Sequence, residues 1–172
     1  MKKEFTAPAK LTLSLRITGR RPDGYHFIDA EMVSLDFSDQ ILVTQGDGLE
    51  IQVAESGFAV EPGPDNLVSQ AMELIGEKAF IRIDKKIPSG AGLGGGSTNA
   101  AAVLRQFGFD DPVQASSIGA DVAYCLIGGR ARVSGIGEVI EPLPFLEKTF
   151  TLLIPPIGVS TPEVYKHWDE MG

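Results

Sequence analysis

Residues 88–98 read Pro-Ser-Gly-Ala-Gly-Leu-Gly-Gly-Gly-Ser-Thr and run on into Asn99 and a string of alanines. Glycine loses more backbone entropy on folding than any other residue. A loop so rich in it suits a backbone that bends sharply or that something must approach closely. The loop lies between an alternating segment, "FIRIDKKI" (80–87), and a helix start of small residues, "AAAVLRQF". Strand, glycine loop and helix N-terminus in that order form a device for holding phosphate. The first N–H groups of a helix have no partner within it, and the helix dipole adds roughly half a positive charge there. Ser97 and Thr98 add hydroxyl donors and candidate ligands for a phosphate-bound Mg²⁺. Two familiar loops do not fit. Gly90, Gly92 and Gly95 satisfy G-x-G-x-x-G, but "QFGF" before Asp110 is no buried parallel strand of a dinucleotide-binding unit. The spacing from Gly90 to Gly95 matches a P-loop, but Gly96 stands where that loop has its lysine. A cation for a nucleotide must come from elsewhere in the chain.

Three further places carry chemistry-bearing side chains. Lys10 falls on the polar face of an alternating segment, and Asp121 lies among apolar residues in "IGADVAY". A partly buried carboxylate needs a partner. By residue type alone the pair reads equally as a surface lysine and a helix cap. Tyr25 and His26 follow the turn "GRRPDG", and an aromatic ring beside an imidazole suits a flat heterocycle. The other histidine, His167, has no acid or histidine cluster near it in sequence, so no resident metal is expected.

The elements that must position these groups are legible in outline. From Phe5 to Ile17 every odd residue is apolar, which predicts a strand with one buried face, with Pro8 at an edge or a break. "ILVTQ-GDG-LEIQV" predicts a hairpin around Gly46–Gly48. Asp65 or Asn66 can cap a helix that places Leu67, Val68, Ala71, Leu74 and Ile75 on one face. Ser97, Thr98 or Asn99 can cap the next. "FDDPVQASS" is a loop or short helix, "IGADVAYCLIGG" a buried helical turn or strand, "RARVSGIGEVI" a second hairpin and "FTLLIPP" another strand. "STPE" (160–163) is a capping box that announces a final helix. The fold class is α+β, mostly antiparallel strands with few helices.

Composition bounds the partners. With a net charge of -8, a nucleic-acid or anionic-membrane surface is not expected. A small polyanion stays open, because local charge decides that. The lone Cys125 excludes an internal disulfide and fits a reducing cytoplasm. "MKKEFTAPAK" lacks the apolar core of a signal peptide, and no apolar run reaches transmembrane length. The expected location is therefore cytoplasmic.

"PSGAGLGGGSTNAAAV" resembles the central ATP-binding motif of the GHMP kinases, and "APAKLTLSL" (7–15) resembles their first motif. "RRPDGYH" (20–26), "GADVAY" (119–124) and "GVSTPEVY" (158–165) are similar to one branch, which phosphorylates a cytidine-diphosphate-linked polyol of the non-mevalonate isoprenoid pathway. The resemblance implies a ribosomal protein S5 domain 2-like fold and Mg-ATP as phosphoryl donor. It implies that Pro88, Ser89, Gly90, Ala91, Gly92, Leu93, Gly94, Gly95, Gly96, Ser97 and Thr98 bind ATP. Asp121 would take the proton of the substrate hydroxyl, with Lys10 beside it facing the transferred phosphoryl group. Tyr25 and His26 would grip the cytosine, and Thr12 would stand where the family usually has asparagine. By the same resemblance residues 1–155 are the ATP-binding domain and 156–172 the start of a C-terminal domain that is otherwise missing. An exposed apolar face for that domain or another partner is then expected, drawn from Leu152, Ile154, Ile157, Val164 and Trp168. The alternatives are another small-molecule alcohol kinase of the superfamily and a non-catalytic nucleotide-binding module.

Overall fold

The computed structural model describes residues 2–53, 60–154 and 161–171. Two long strands, β1 (Lys3–Arg20) and β2 (His26–Thr44), pair antiparallel along most of their length. They are followed by β3 (Gly48–Val53), α1 (Leu67–Ile75), β4 (Phe80–Lys85), α2 (Gly95–Gln106), α3 (Pro112–Ser116) and α4 (Ala120–Ile127). A hairpin of β5 (Arg130–Gly135) and β6 (Val139–Pro142) comes next, and α5 (Thr161–Met171) ends the described chain. The strands form one sheet in the order β3-β4-β2-β5-β6, and β1 pairs with β2 off that path. β4 pairs with Gln40–Thr44 of β2, and β5 with Ile28–Val33. Residues of α1, α2 and α4 share one apolar core with these strands. This is the α+β arrangement that the pattern predicts. Among the described residues no helix is long and apolar enough to cross a membrane.

Local chemistry explains the helix positions. Asn66 caps α1, its side chain accepting from the Val68 N–H at 2.9 Å, and Gly76 closes the helix at φ 67°. Removing such a cap costs about 1 kcal/mol. Asn66→Ala is therefore expected to lower unfolding stability by that amount in urea denaturation, with an unchanged slope. α2 buries Ala100, Ala101, Ala102, Val103 and Leu104, so it is covered on most sides and its polar start is left to the site. "FDDPVQASS" is a short helix, with Asp111 accepting from the N–H groups of Val113 and Gln114. "IGADVAYCLIGG" is the buried helix α4, whose Tyr124 hydroxyl donates to the Gly129 carbonyl at 2.6 Å.

Four expectations are corrected. Residues 41–53 form no hairpin: β4 inserts between β2 and β3, and β3 runs parallel to β4 after the α1 crossover. β4 alternates with Ile81 and Ile83 fully buried, which suits an inner position, whereas β3 exposes Glu50 and Gln52 at the edge. The alternation of β1 breaks at register shifts between Pro8 and Lys10 and between Thr12 and Ser14. Ala9 and Lys10 are consequently both buried, and Leu15 is exposed. α2 is capped by Gly94 rather than by Ser97, Thr98 or Asn99, which lie inside the helix. Finally, residues 150–154 of "FTLLIPP" form no strand and leave Leu153 exposed; residues 155–156 lie outside the described residues. Ile154, Val164 and Trp168 are exposed as expected, Leu152 is half-buried, and Ile157 and the Ser160 cap are outside the described residues.

Candidate functional site

The glycine loop owes its shape to three left-handed residues: Gly90, Gly92 and Gly94 have φ of 72°, 72° and 66°. These conformations are rare for any other residue type. Ile87 and Leu93 pin the loop from below, packed with Ala9 of β1 in a small apolar cluster. Leu93 therefore turns its side chain inward, and its carbonyl accepts the Lys10 backbone N–H at 3.0 Å. The first intrahelical bond of α2 runs from the Thr98 N–H to the Gly94 carbonyl at 2.8 Å, and no side chain caps the helix. The N–H groups of Gly95, Gly96 and Ser97 have no partner within the helix they start.

Below the loop lies a polar network that the sequence reading did not identify. Asp39 of β2 is fully buried and accepts from the backbone N–H groups of Lys86 and Ile87 at 2.6 and 2.8 Å. It also accepts from the Asn99 amide at 2.9 Å and from the Lys85 ammonium. Lys85 in turn donates to Asn99 Oδ1 at 2.9 Å. The network ties the middle of the sheet, the entry to the loop and the first turn of α2 into one piece.

Lys10 and Asp121, far apart in sequence, meet with Nζ 3.0 Å from Oδ2. Lys10 is nearly buried, and its ammonium also donates to Thr12 Oγ1 at 3.2 Å. Asp121 is in the first turn of α4, where the helix dipole favours a carboxylate. It is not the cap, a place taken by Gly119. The stem of Lys10 runs directly under Gly94: a Cβ built there would stand 2.7 Å from Lys10 Cγ. Gly94→Ala combines that clash with a strained φ, so it should displace both loop and lysine. The expected outcome is a shift of the backbone amide signals of both the loop and Lys10, read by ¹⁵N NMR. Gly92, with nothing within 4 Å of a built Cβ, should tolerate alanine better.

These groups line one cleft of about 1100 Å³. Lys10, Thr12, Tyr25, His26, Asp121 and every residue from Pro88 to Ser97 border it. Thr98 does not: it is buried, and its hydroxyl donates to the Pro8 carbonyl at 2.6 Å. The expected ATP contact from Thr98 is thus a structural tie between α2 and β1. Tyr25 is exposed at the rim. His26 is not free, since its side chain is only 8% exposed and its Nε2 is 2.7 Å from Asp169 Oδ1 on α5. No group of three or more metal-ligating side chains occurs among the described residues. Cys125 is buried, and burial pushes its thiol up to about 12, which leaves it protonated and inert.

Residues 66–129 match the model of the GHMP kinases N terminal domain. The chain is 43% identical over 164 residues to the 4-diphosphocytidyl-2-C-methyl-D-erythritol kinase of Paracoccus denitrificans (strain Pd 1222), covering 93% of this chain and 59% of that one. It is 42% identical to the kinase of the same name from Desulfitobacterium hafniense (strain Y51), covering 98% of this chain and 62% of that one. A crystal structure of 4-(cytidine 5'-diphospho)-2C-methyl-D-erythritol kinase superposes with a TM-score of 0.73 at 33% identity, over 95% of this chain and 63% of that chain. The chain thus spans about three fifths of the length of the curated relatives it matches.

Proposed function

We propose that the chain is a member of the GHMP kinases and the ATP-binding part of a small-molecule kinase. The acceptor would be the 2-hydroxyl of 4-diphosphocytidyl-2-C-methyl-D-erythritol, in the non-mevalonate route to isoprenoid precursors. In this reading residues 1–155 are the ATP-binding domain and 156–172 open a second unit. The observation that carries it is the Lys10–Asp121 pair, 3.0 Å apart in a cleft that the glycine loop also lines. Phosphoryl transfer needs an oriented hydroxyl, an acceptor for its proton and positive charge near the transferred group.

Each need has a residue. The N–H groups of Gly95, Gly96 and Ser97 hold phosphate oxygens at the start of α2. The substrate oxygen bonds to the γ-phosphorus as the bond from phosphorus to the β–γ bridging oxygen breaks. Asp121 accepts the hydroxyl proton and ADP departs. Lys10, held by Asp121 and Thr12, supplies the cation that the loop lacks at Gly96. Magnesium, when bound with ATP, would neutralise charge on the phosphates; it keeps several waters and few protein ligands. The Ser97 hydroxyl borders the cleft and fits that role, whereas Thr98 is committed elsewhere. Tyr25 and His26 border the same cleft, and their rings suit the cytosine.

The reading is tested by incubating the chain with Mg-ATP and the acceptor and following phosphorus by NMR. ADP and a new phosphomonoester are expected to appear together. ATP binding without transfer, in saturating acceptor, would make the chain a nucleotide-binding module instead.

A further inference from the structure

We propose that Lys85 is a positioning residue of the phosphate site, whose buried ammonium lies against the first residue of α2 and strengthens the hold of that helix start on a polyphosphate. Its role rests on the nucleotide-binding reading proposed above. Gly95 opens α2 and borders the cleft. It is not among the glycines with a left-handed backbone, so its conformation would suit an alanine. What it lacks is room: a Cβ built there would stand 3.0 Å from Lys85 Nζ and 3.1 Å from Ile87 Cγ2. The ammonium therefore lies within about 4.5 Å of the Gly95 Cα, one bond length further on. No atom of Asp39 is among the three nearest to that Cβ. The cation, not its counterion, is the member of the pair next to the helix start. Gly94 and Gly95 thus each rest on a lysine side chain, Lys10 and Lys85, whereas the loop from Pro88 to Thr98 contains no lysine of its own.

With the site empty, this is a poor place for a lysine. Burial takes its charge out of water, and the positive end of a helix repels a cation. A polar cage offsets both costs. Asp39 Oδ2 and Asn99 Oδ1 each accept from the ammonium, and the Asn99 amide donates to Asp39. The Asp39 carboxylate also accepts from the backbone N–H groups of Lys86 and Ile87. These further donors share its negative charge, so it does not cancel the ammonium outright. Well-packed apolar side chains could fill the same space with no charge at all. A local preference broken in this way is expected chiefly where function requires it. The charge gains its use when an anion meets the N–H groups of Gly95, Gly96 and Ser97, because ammonium and helix dipole then attract it together.

The test is binding of ATP and of AMP, without magnesium, to the unaltered chain and to Lys85→Met. NMR titration reads both, including weak binding. Methionine keeps most of the length of lysine, and Asp39 keeps its two backbone donors and the Asn99 amide. The preference for ATP over AMP should fall about tenfold, the size of one charge interaction across several ångströms of protein. The affinity for AMP should change much less. Removal of a merely structural lysine would weaken both nucleotides alike, or neither; either result overturns the role of Lys85 and leaves the nucleotide site standing. Equal affinity for ATP and AMP in the unaltered chain overturns the nucleotide reading itself, and this role with it. If Lys85→Met does not fold, the same preference is read on Asp39→Asn with Lys85→Met, which leaves no charge unpaired. It should fall there too, because the ammonium is the nearer charge, and an undiminished preference overturns the proposal. One further check needs no variant. The side-chain ¹⁵N signal of Lys85 in the unaltered chain should move on adding ATP and hold its place on adding adenosine. A signal unmoved at saturating ATP overturns the proposal.

Discussion

With Asp121 in the proposed role of base, Asp121→Asn is expected to slow the proposed phosphoryl transfer by about 10²–10⁴-fold, the usual contribution of a positioned base, without loss of ATP binding. The amide keeps an oxygen that Lys10 can donate to, so the 3.0 Å contact survives in weakened form and the ammonium stays in place. What would disappear is the proposed capacity to hold the hydroxyl proton. The effect should therefore fall on kcat rather than on the affinity for ATP. Parallel measurement of kcat and of ATP dissociation decides the matter. A matching loss in both would mean that Asp121 works by holding Lys10, and that the proton leaves by another route.

Asp39→Ala is expected to be the most damaging single substitution for stability. It would leave the Lys85 ammonium buried without its carboxylate, and two loop N–H groups without their acceptor. Breaking a buried pair by removing one partner costs about 3–5 kcal/mol. For a domain of this size that lowers Tm by on the order of 10 °C. The double change Asp39→Leu with Lys85→Met should recover only the part that comes from the unpaired ammonium, because the Lys86 and Ile87 N–H groups and the Asn99 amide stay without their acceptor. Thermal unfolding of both variants tests this. A drop of less than about 1 kcal/mol for Asp39→Ala would show that Lys85 finds water or another partner.

The sequence made the loop and the Lys10–Asp121 pair legible for different reasons. The loop announces itself because its glycines answer a local backbone demand, at Gly90, Gly92 and Gly94. The pair was drawn together through family resemblance, since nothing local links residues so far apart. The Asp39–Lys85 network had a signal in the period of its strands. Lys85 keeps the phase of the buried Ile81 and Ile83, and Asp39 that of Ile41 and Val43. A charged residue in a buried phase marks a partner across the sheet. The hairpin at residues 41–53 was misread because a turn between two alternating runs does not say whether they pair. β4, from beyond a helix, competes for the same edge of β2 and wins with two fully buried isoleucines. The bulge at Ala9 was equally hidden, and it is what turns Lys10 into the cleft. Pairing of α5 with His26 depends on contacts across 143 residues, which no local pattern carries.

The central claim is that the start of α2 holds the phosphates of a nucleotide. It is met most directly by titrating Mg-ATP and, separately, AMP into ¹⁵N-labelled chain and mapping the backbone amides. The account predicts that ATP shifts the amides of Gly94, Gly95, Gly96 and Ser97 most strongly, at the unpartnered end of the helix. It predicts that AMP, which lacks the outer phosphates, binds far more weakly. ATP shifts confined to residues away from the loop, or equal affinity for AMP and ATP, would contradict it.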